Sequence, residues 1–189
     1  METDQIRAAA ESYQEVNGKN YRIALADGYS FVLVFEQANF KHLTGVQHLK
    51  DTMYHSMAPN QFFKRVLHGA IGDADLRSSV FYEDHCRERI FDLCHMPRIL
   101  REGALCIHPF DPRKANASLR AEVLIYEEDN FCAFLTLACK HGTQAPDLGG
   151  LPVYFPESFQ TVYGDRYLKG QSRTRISSIE IFERGLKNP

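Results

Sequence analysis

The chain has 189 residues, of which 44% are hydrophobic and 24% are charged, and its formal net charge is −2. This composition is typical of a globular domain, and the near-neutral charge argues against a large surface for nucleic-acid phosphates, since proteins with such surfaces are usually basic. Five cysteines without a CxxC pair argue against a disulfide framework and against a zinc site. The N-terminus is polar and no apolar run approaches the length of a membrane span, so we expect a cytoplasmic protein.

The first third of the chain predicts a helix followed by a β-hairpin. A capped helix extends to about Val16. Two apolar runs, 21–26 and 29–35, then flank the dipeptide Asp27-Gly28. Asp-Gly between such runs is a strong hairpin signal.

A second helix, capped by Asn39, carries the first candidate for a catalytic side chain. At helical spacing one stripe unites four residues, which are His42, Val46, Leu49 and Met53. We therefore expect His42 to be partly buried at the end of a core-facing stripe, at the margin of a pocket. A satisfied core histidine is the alternative interpretation.

Gly45 lies beside His42 in this predicted helix. A glycine inside a helix costs about 1 kcal/mol relative to alanine, so we expect another group to approach the backbone closely there. His48 lies on a different face of the helix and is a reserve candidate for chemistry.

The rest of the chain changes from helices to strands at about residue 104. Helices are predicted at 59–69, 80–93 and 97–103. Strands are predicted at 104–108, 119–126, 131–139, 153–155 and 174–182.

Segregated helices and strands indicate an α+β fold. We predict an antiparallel β-sheet of four or more strands, drawn mainly from 104–182, with helices packed on it. We also predict a single domain, 1–189, with a helix-rich part at 37–103 and a sheet-rich part at 104–182.

A short basic segment precedes the last predicted strand. Between Tyr163 and Arg175 it holds four basic residues and one acid, namely Arg166, Lys169, Arg173, Arg175 and Asp165. Tyr163 and Tyr167 interleave with them, and aromatic rings between Arg and Lys side chains are suited to stack RNA bases and bind phosphate. A solvated loop that leads into a charged edge strand is the alternative interpretation.

Four stretches of the sequence occur in an order that resembles a known family. They are FKHLTGVQHLKD from Phe40, SSVFYEDHCRERIFDL from Ser78, RAEVLIYEEDNFCAFLTLA from Arg120 and PVYFPESFQTVYGDRYLKGQSRTRISSIE from Pro152. Together, over about 21–180, they are similar to the fourth of the phage-encoded barnase–EndoU–colicin–RelE-like nuclease families. The resemblance implies a small antiparallel sheet with helices ahead of it and a metal-independent ribonuclease activity, which is an inference by analogy.

Such a ribonuclease needs a base for the 2′-hydroxyl proton, an acid for the leaving 5′-oxygen and a cation for the phosphorane charge. The candidate catalytic residues are His42, Lys169, Gln171 and Thr174. The candidate substrate-binding residues are Gly45, His48, Tyr163, Tyr167, Ser172, Arg173 and Arg175. We predict no metal and no cofactor, and we rank the other histidines, His108 among them, below His42.

Two classes of function fit these features best. The first is a ribonuclease of the toxin or effector type, associated with a phage or mobile element, with RNA as substrate and a protein such as an antitoxin as partner. The second is a non-catalytic binding module or accessory protein of a phage or mobile element, which the near-zero net charge favours. A structural protein without a small-molecule site is a third. A single cleft that contained both His42 and the 169–174 segment would favour the nuclease.

Overall fold

The computed structural model describes residues 4–115, 121–128, 132–145, 149–162 and 165–183. The chain divides into two compact units. A helical unit consists of Met1–Asn17 and Glu36–Pro97, and a barrel unit consists of Gly18–Phe35 and Arg98–Pro189. The single-domain organisation and the packing of the helices on the sheet stay predictions.

Short α-helices build the helical unit. They are α1 (Gln5–Gln14), α2 (Gln37–Leu43), α3 (Pro59–Leu67), α4 (Asp73–Arg77), α5 (Tyr82–His85) and α6 (Arg87–Leu93). Aromatic rings of α1, α2 and α3 meet in its core, where the Tyr13 ring centroid lies 5.5 Å from that of Phe40 and 5.7 Å from that of Phe63. Asp73 accepts the first two backbone N–H groups of α1 at 2.6 and 3.0 Å, so α4 supplies part of the cap of α1.

Helix α2 differs from the prediction at both ends. It begins one residue after Glu36, and Asn39 is its third residue, whose side chain accepts the Glu36 N–H at 2.8 Å. It stops at Leu43 because Gly45 adopts a left-handed conformation, with φ +79°, and a 3₁₀ turn follows at Val46–His48.

The predicted core-facing stripe is therefore wrong at its ends. Val46 and Leu49 are fully buried, but Met53 is 64% exposed and His42 is exposed. A left-handed residue between His42 and Val46 breaks the helical spacing on which the stripe was based. The predicted helix over 80–93 is likewise two helices, α5 and α6, which meet at Cys86 with φ −117°.

Among the described residues of the barrel unit, seven strands form one closed sheet. They are β1 (Lys19–Leu25), β2 (Ser30–Val34), β3 (Leu105–Ile107), β4 (Val123–Glu128), β5 (Cys132–Ala145), β6 (Leu151–Val162) and β7 (Arg173–Glu183). Their order around the barrel is β1-β2-β6-β5-β4-β3-β7, and β7 pairs with β1 to close it. The α+β class and a mainly antiparallel sheet of more than four strands agree with the prediction, but the prediction did not include the closure of the sheet into a barrel or its one parallel pairing.

The closure has two causes that the sequence pattern does not reveal. The β1–β2 hairpin joins the same sheet as the later strands, and it does so through a parallel pairing of β2 with β6, at Val32 with Val153 and Leu33 with Tyr154. Strand β7 is also long enough to pair with β3 along its first part and with β1 along the rest. Every other neighbouring pair that the structure describes is antiparallel.

Gly45 provides a test of the turn after α2. A β-carbon at this position would overlap the backbone carbonyl of His85, whereas one at Gly69, which also has positive φ (+69°), would make only an ordinary contact. We expect Gly69→Ala to lower the free energy of unfolding by about 1 kcal/mol, through the left-handed conformation alone. Gly45→Ala adds overpacking, so we expect a loss of about 3 kcal/mol. Chemical denaturation of both variants measures the difference, and equal losses would contradict the close approach of His85.

Candidate functional site

The turn after α2 brings two of the predicted residues, His42 and His48, to one glutamine. The side-chain Nε2 of Gln47 lies 3.1 Å from His42 Nδ1 and 3.3 Å from His48 Nε2. The amide nitrogen is a donor with two hydrogens, and a ring nitrogen that receives one of them is an acceptor. The same Nε2 of Gln47 also lies 3.2 Å from the His42 carbonyl oxygen, so this amide joins the two imidazoles to the end of α2.

His85 completes this group, which we call the histidine cluster (His42, Gln47, His48 and His85). The ring centroids of His48 and His85 are 5.0 Å apart. Burial lowers the pKa of His48, and the positive charges that face it from His85, Arg89, His42 and Lys50 lower it further. The approach of His85 to Gly45 explains why a glycine is needed there, which confirms that a group lies close to this backbone.

Lys41 is a second feature of this region that the sequence analysis missed. Its side chain is buried, and its Nζ donates to the carbonyl oxygens of His55 and Met57 at 2.7 and 2.6 Å. Burial lowers its pKa. Since both acceptors lie in the segment before α3, Lys41 has a structural role in tying that segment to α2.

The barrel unit presents the second group of predicted residues around one cavity. This cavity, which we call the cation pocket, has a volume of about 490 Å³ and is lined by Ala26, Asp27, Leu105, Arg173, Thr174 and Arg175. Arg173 and Arg175 alternate with Thr174 along β7, so their side chains leave the same face of the sheet, and both are exposed. Arg175 donates from Nη1 to the carbonyl oxygen of Gly103 at 2.9 Å, which fixes one guanidinium beside the pocket.

Two other predicted residues are engaged inside the barrel unit. Gln171 donates to the carbonyl oxygen of Asp111 at 2.8 Å and accepts the Asp111 N–H at 3.1 Å, so both of its polar ends hold the 111 loop. Tyr167 is only 7% exposed, packs edge-on against Phe110 and accepts a hydrogen bond from Gln160. Against our expectation, its ring offers no open face on which a base would stack.

The remaining predicted residues are exposed or lie outside the described part of the chain. Lys169 and Ser172 are exposed in the turn before β7. Tyr163 is not among the described residues. The structure thus groups His42, Gly45 and His48 in one unit and Arg173, Thr174 and Arg175 in the other. A common cleft for the two groups stays a prediction.

The described cysteines are poor candidates for catalytic nucleophiles or metal ligands. The four cysteines that the structure describes in full are free thiols. Burial raises the pKa of Cys86 and of Cys106 to about 12, which makes both poor nucleophiles at neutral pH. Within the described ranges, no three His, Cys, Asp or Glu side chains converge as metal ligands would.

The lengths and compositions of the helices bear on membrane insertion. Among the helices of the described residues, none combines the length and the apolar character that a membrane crossing requires.

The histidine cluster predicts a coupled titration. We expect His85→Gln to raise the pKa of His48 toward the ordinary histidine value, because one facing charge is removed, whereas His68→Gln on an exposed site should leave it unchanged. NMR titration of the ring protons measures both effects, and an unchanged His48 pKa in His85→Gln would contradict the coupling.

The lowered pKa of His48 determines the direction in which the free energy of unfolding changes with pH. The folded protein binds the His48 proton less readily than the unfolded chain does, so this residue destabilises the fold in acid. The contribution of neutral His48 to the free energy of unfolding should be complete above about pH 6.5, the pKa of histidine in the unfolded chain. It should be lost as the pH falls through the lower pKa that His48 has in the folded protein. Denaturation curves of the wild type and His48→Gln at several pH values measure this, and equal pH dependence in the two would contradict it.

Comparison with known proteins places the chain in one family. Neither the search of curated proteins nor the search of solved structures gave a match. The family model described as phage-Barnase-EndoU-ColicinE5/D-RelE like nuclease4 matches residues 5–185, which is nearly the whole chain and includes both the histidine cluster and the cation pocket. The protein therefore belongs to this phage-associated, nuclease-like family, as the order of its four sequence stretches indicates.

Proposed function

We propose that the protein is a ribonuclease of the toxin or effector type, which cleaves RNA without a metal ion by attack of a 2′-hydroxyl on the adjacent phosphorus. The observation that carries this proposal is the cation pocket, where two arginines on one sheet face border a cavity of about 490 Å³. The pocket is an open depression at the sheet surface, which a phosphate of an extended strand could reach. Membership of a nuclease-like family supports phosphodiester cleavage as the reaction class.

The cation pocket suits the charge that develops during cleavage. Arginine binds phosphate oxygens in a two-pronged fashion and keeps its charge at every physiological pH. Arg173 and Arg175 would hold the scissile phosphate and stabilise the phosphorane, while Thr174 and the exposed Ser172 supply neutral donors. Lys169, also exposed, would contact a neighbouring phosphate.

The histidine cluster supplies the imidazoles for proton transfer in this proposal. A neutral histidine accepts a proton at pH 7, and a protonated one returns it to the leaving 5′-oxygen. His42 is the predicted acid or base, because it is exposed while Gln47 fixes one of its ring nitrogens. His48 is the reserve, with a lowered pKa that keeps it neutral.

A binding measurement tests the cation pocket. We expect the wild type to bind short single-stranded RNA with an affinity that falls as salt rises, with a shallow slope of about −0.7 per phosphate contact and only two or three contacts. Lys169→Ala with Arg173→Ala should abolish this binding. The matched control is Lys64→Ala with Arg87→Ala, which removes the same charge from two exposed residues of the helical unit. Equal RNA binding by the two double variants would contradict the assignment of RNA binding to the cation pocket.

A cleavage measurement tests the chemistry. In the presence of a metal chelator we expect the wild type to cleave single-stranded RNA, and we expect His42→Ala to lower the rate by about 10²–10⁴-fold, the usual contribution of general acid–base catalysis. His42 is exposed, so the fold should persist, and His68→Ala provides an exposed histidine control in the same unit. A wild-type rate in His42→Ala would remove His42 from the mechanism.

The second candidate function is a non-catalytic binding module or accessory protein of a phage or mobile element, with a protein partner such as an antitoxin. The net charge of −2 favours it, because a protein that holds long RNA is usually basic. Binding of RNA without cleavage, or no binding of RNA at low salt, would make this candidate the better one. For either function we place the protein in the cytoplasm.

A further inference from the structure

A second cavity lies beside the cation pocket in the barrel unit. Its volume is about 300 Å³, and we call it the Glu127 pocket. The residues that line it include Ile99, Arg101, Leu105, Tyr126, Glu127 and Arg175. Two of them, Leu105 and Arg175, also line the cation pocket. The two cavities therefore share a wall, and one ligand with two parts can occupy both.

The strand register explains why the two cavities adjoin. Leu105 of β3 pairs with Tyr126 of β4 on one side and with Arg175 of β7 on the other. Side chains at directly opposite positions leave the same face of a sheet, so these three form one row. Arg173 leaves this face as well, because it lies two residues from Arg175 along β7. Both cavities thus lie against one face of the sheet, and the row spans two strand spacings, about 10 Å.

The polar groups of the Glu127 pocket include an acceptor, which a phosphate site does not need. Glu127 is partly buried, and its Oε1 accepts from the guanidinium of Arg101. A carboxylate has two oxygens with about four lone-pair sites, so this bond leaves acceptor capacity on Glu127. Arg175 uses Nη1 on the carbonyl oxygen of Gly103, and a guanidinium carries five N–H groups. The pocket therefore presents a carboxylate acceptor next to guanidinium donors.

Apolar side chains form the rest of the wall. Ile99 is almost completely buried, Tyr126 is fully buried and Leu105 is partly buried. A nucleobase has faces that stack on such walls and a polar edge that forms hydrogen bonds. The combination of apolar walls with an acceptor and donors is suited to the edge of a base.

We propose that the Glu127 pocket binds the base of the nucleotide whose phosphate lies in the cation pocket, and that Glu127 selects bases with an amino group over uracil. This proposal rests on the proposed ribonuclease function and adds a base preference to it. One nucleotide is long enough to reach across the row from Arg175 to Tyr126, so its phosphate and its base can occupy the two cavities together.

The base preference follows from the chemistry of a carboxylate, which only accepts hydrogen bonds. Adenine, cytosine and guanine each carry an amino group that donates hydrogens. Uracil has an oxygen where cytosine has its amino group, and its one N–H at this edge lies between two carbonyl oxygens, which a carboxylate repels. The guanidinium groups of Arg101 and Arg175 are donors for the ring nitrogen or carbonyl oxygen beside the amino group.

A purely structural ion pair is the competing explanation. The pair of Arg101 with Glu127 joins the segment before β3 to β4, so its loss would change the free energy of unfolding. Such a role would not change the preference between two bases. Affinity alone does not separate the explanations, because the loss of a negative charge strengthens the binding of any phosphate nearby. The ratio of two affinities is therefore the decisive readout.

The test compares the binding of short 2′-O-methyl oligomers of cytidine and of uridine, which lack the nucleophile for cleavage and carry pyrimidines of equal size. We expect the wild type to bind the cytidine oligomer about tenfold more tightly. Glu127→Gln should bring the ratio of affinities close to one, because an amide donates as well as accepts. The control Glu180→Gln removes the same charge from another carboxylate of the barrel unit that is paired with an arginine, Arg22, and should keep the ratio. A wild type that binds both oligomers equally, or an unchanged ratio in Glu127→Gln, would overturn the proposal.

A second measurement covers the case in which Glu127→Gln does not fold. Ile99 lines the Glu127 pocket and Ala26 lines the cation pocket, so their methyl NMR signals report on the two cavities separately. In the wild type the cytidine oligomer should shift both signals, and an abasic oligomer should shift that of Ala26 alone. A cytidine oligomer that shifts Ala26 without Ile99 would overturn the base site while the cation pocket stands. A wild type that binds neither oligomer would overturn the RNA site of the proposed function as well.

Discussion

The pairing of β7 with two different strands is the constraint on which the barrel unit depends. Its first three residues pair with β3 and the remainder pairs with β1, so this strand both closes the sheet and fixes the position of its own basic end. Arg173 and Arg175 lie in the β3-paired part, where the ladder sets the face from which their side chains leave. The cation pocket is therefore a consequence of barrel closure, and an open sheet would have left the same arginines on a free edge strand.

The class of fold was predictable because its strongest signals are local. Asp27-Gly28 between two apolar runs specified the first hairpin, and β1 and β2 lie where it placed them. Barrel closure was not predictable, since it depends on the parallel pairing of β2 with β6, a contact between segments about 120 residues apart. The end of α2 was also missed, because Gly45 was interpreted as a helical residue although its φ of +79° ends the helix.

The site was predictable in part for the same reason. Composition and spacing located Arg173, Thr174 and Arg175, which do line one pocket. They did not reveal that Tyr167 is needed for the core, because an aromatic residue within a basic segment has the same pattern whether it is buried or exposed. The stacking of His108 on Tyr29 and the hydrogen bond of Tyr29 with Tyr154 were not predictable either, because these residues come from distant parts of the sequence and no local motif connects them.

The central claim of the proposed function is that the RNA itself supplies the nucleophile. The two new ends that cleavage creates on the RNA distinguish attack by the 2′-hydroxyl from attack by water. Mass spectrometry of the fragments released from a short RNA, in the presence of a metal chelator, identifies them directly. Our account predicts fragments that end in a 2′,3′-cyclic phosphate and partner fragments that begin with a 5′-hydroxyl. Fragments with a 3′-hydroxyl and a 5′-phosphate, or an RNA that remains intact, would contradict it.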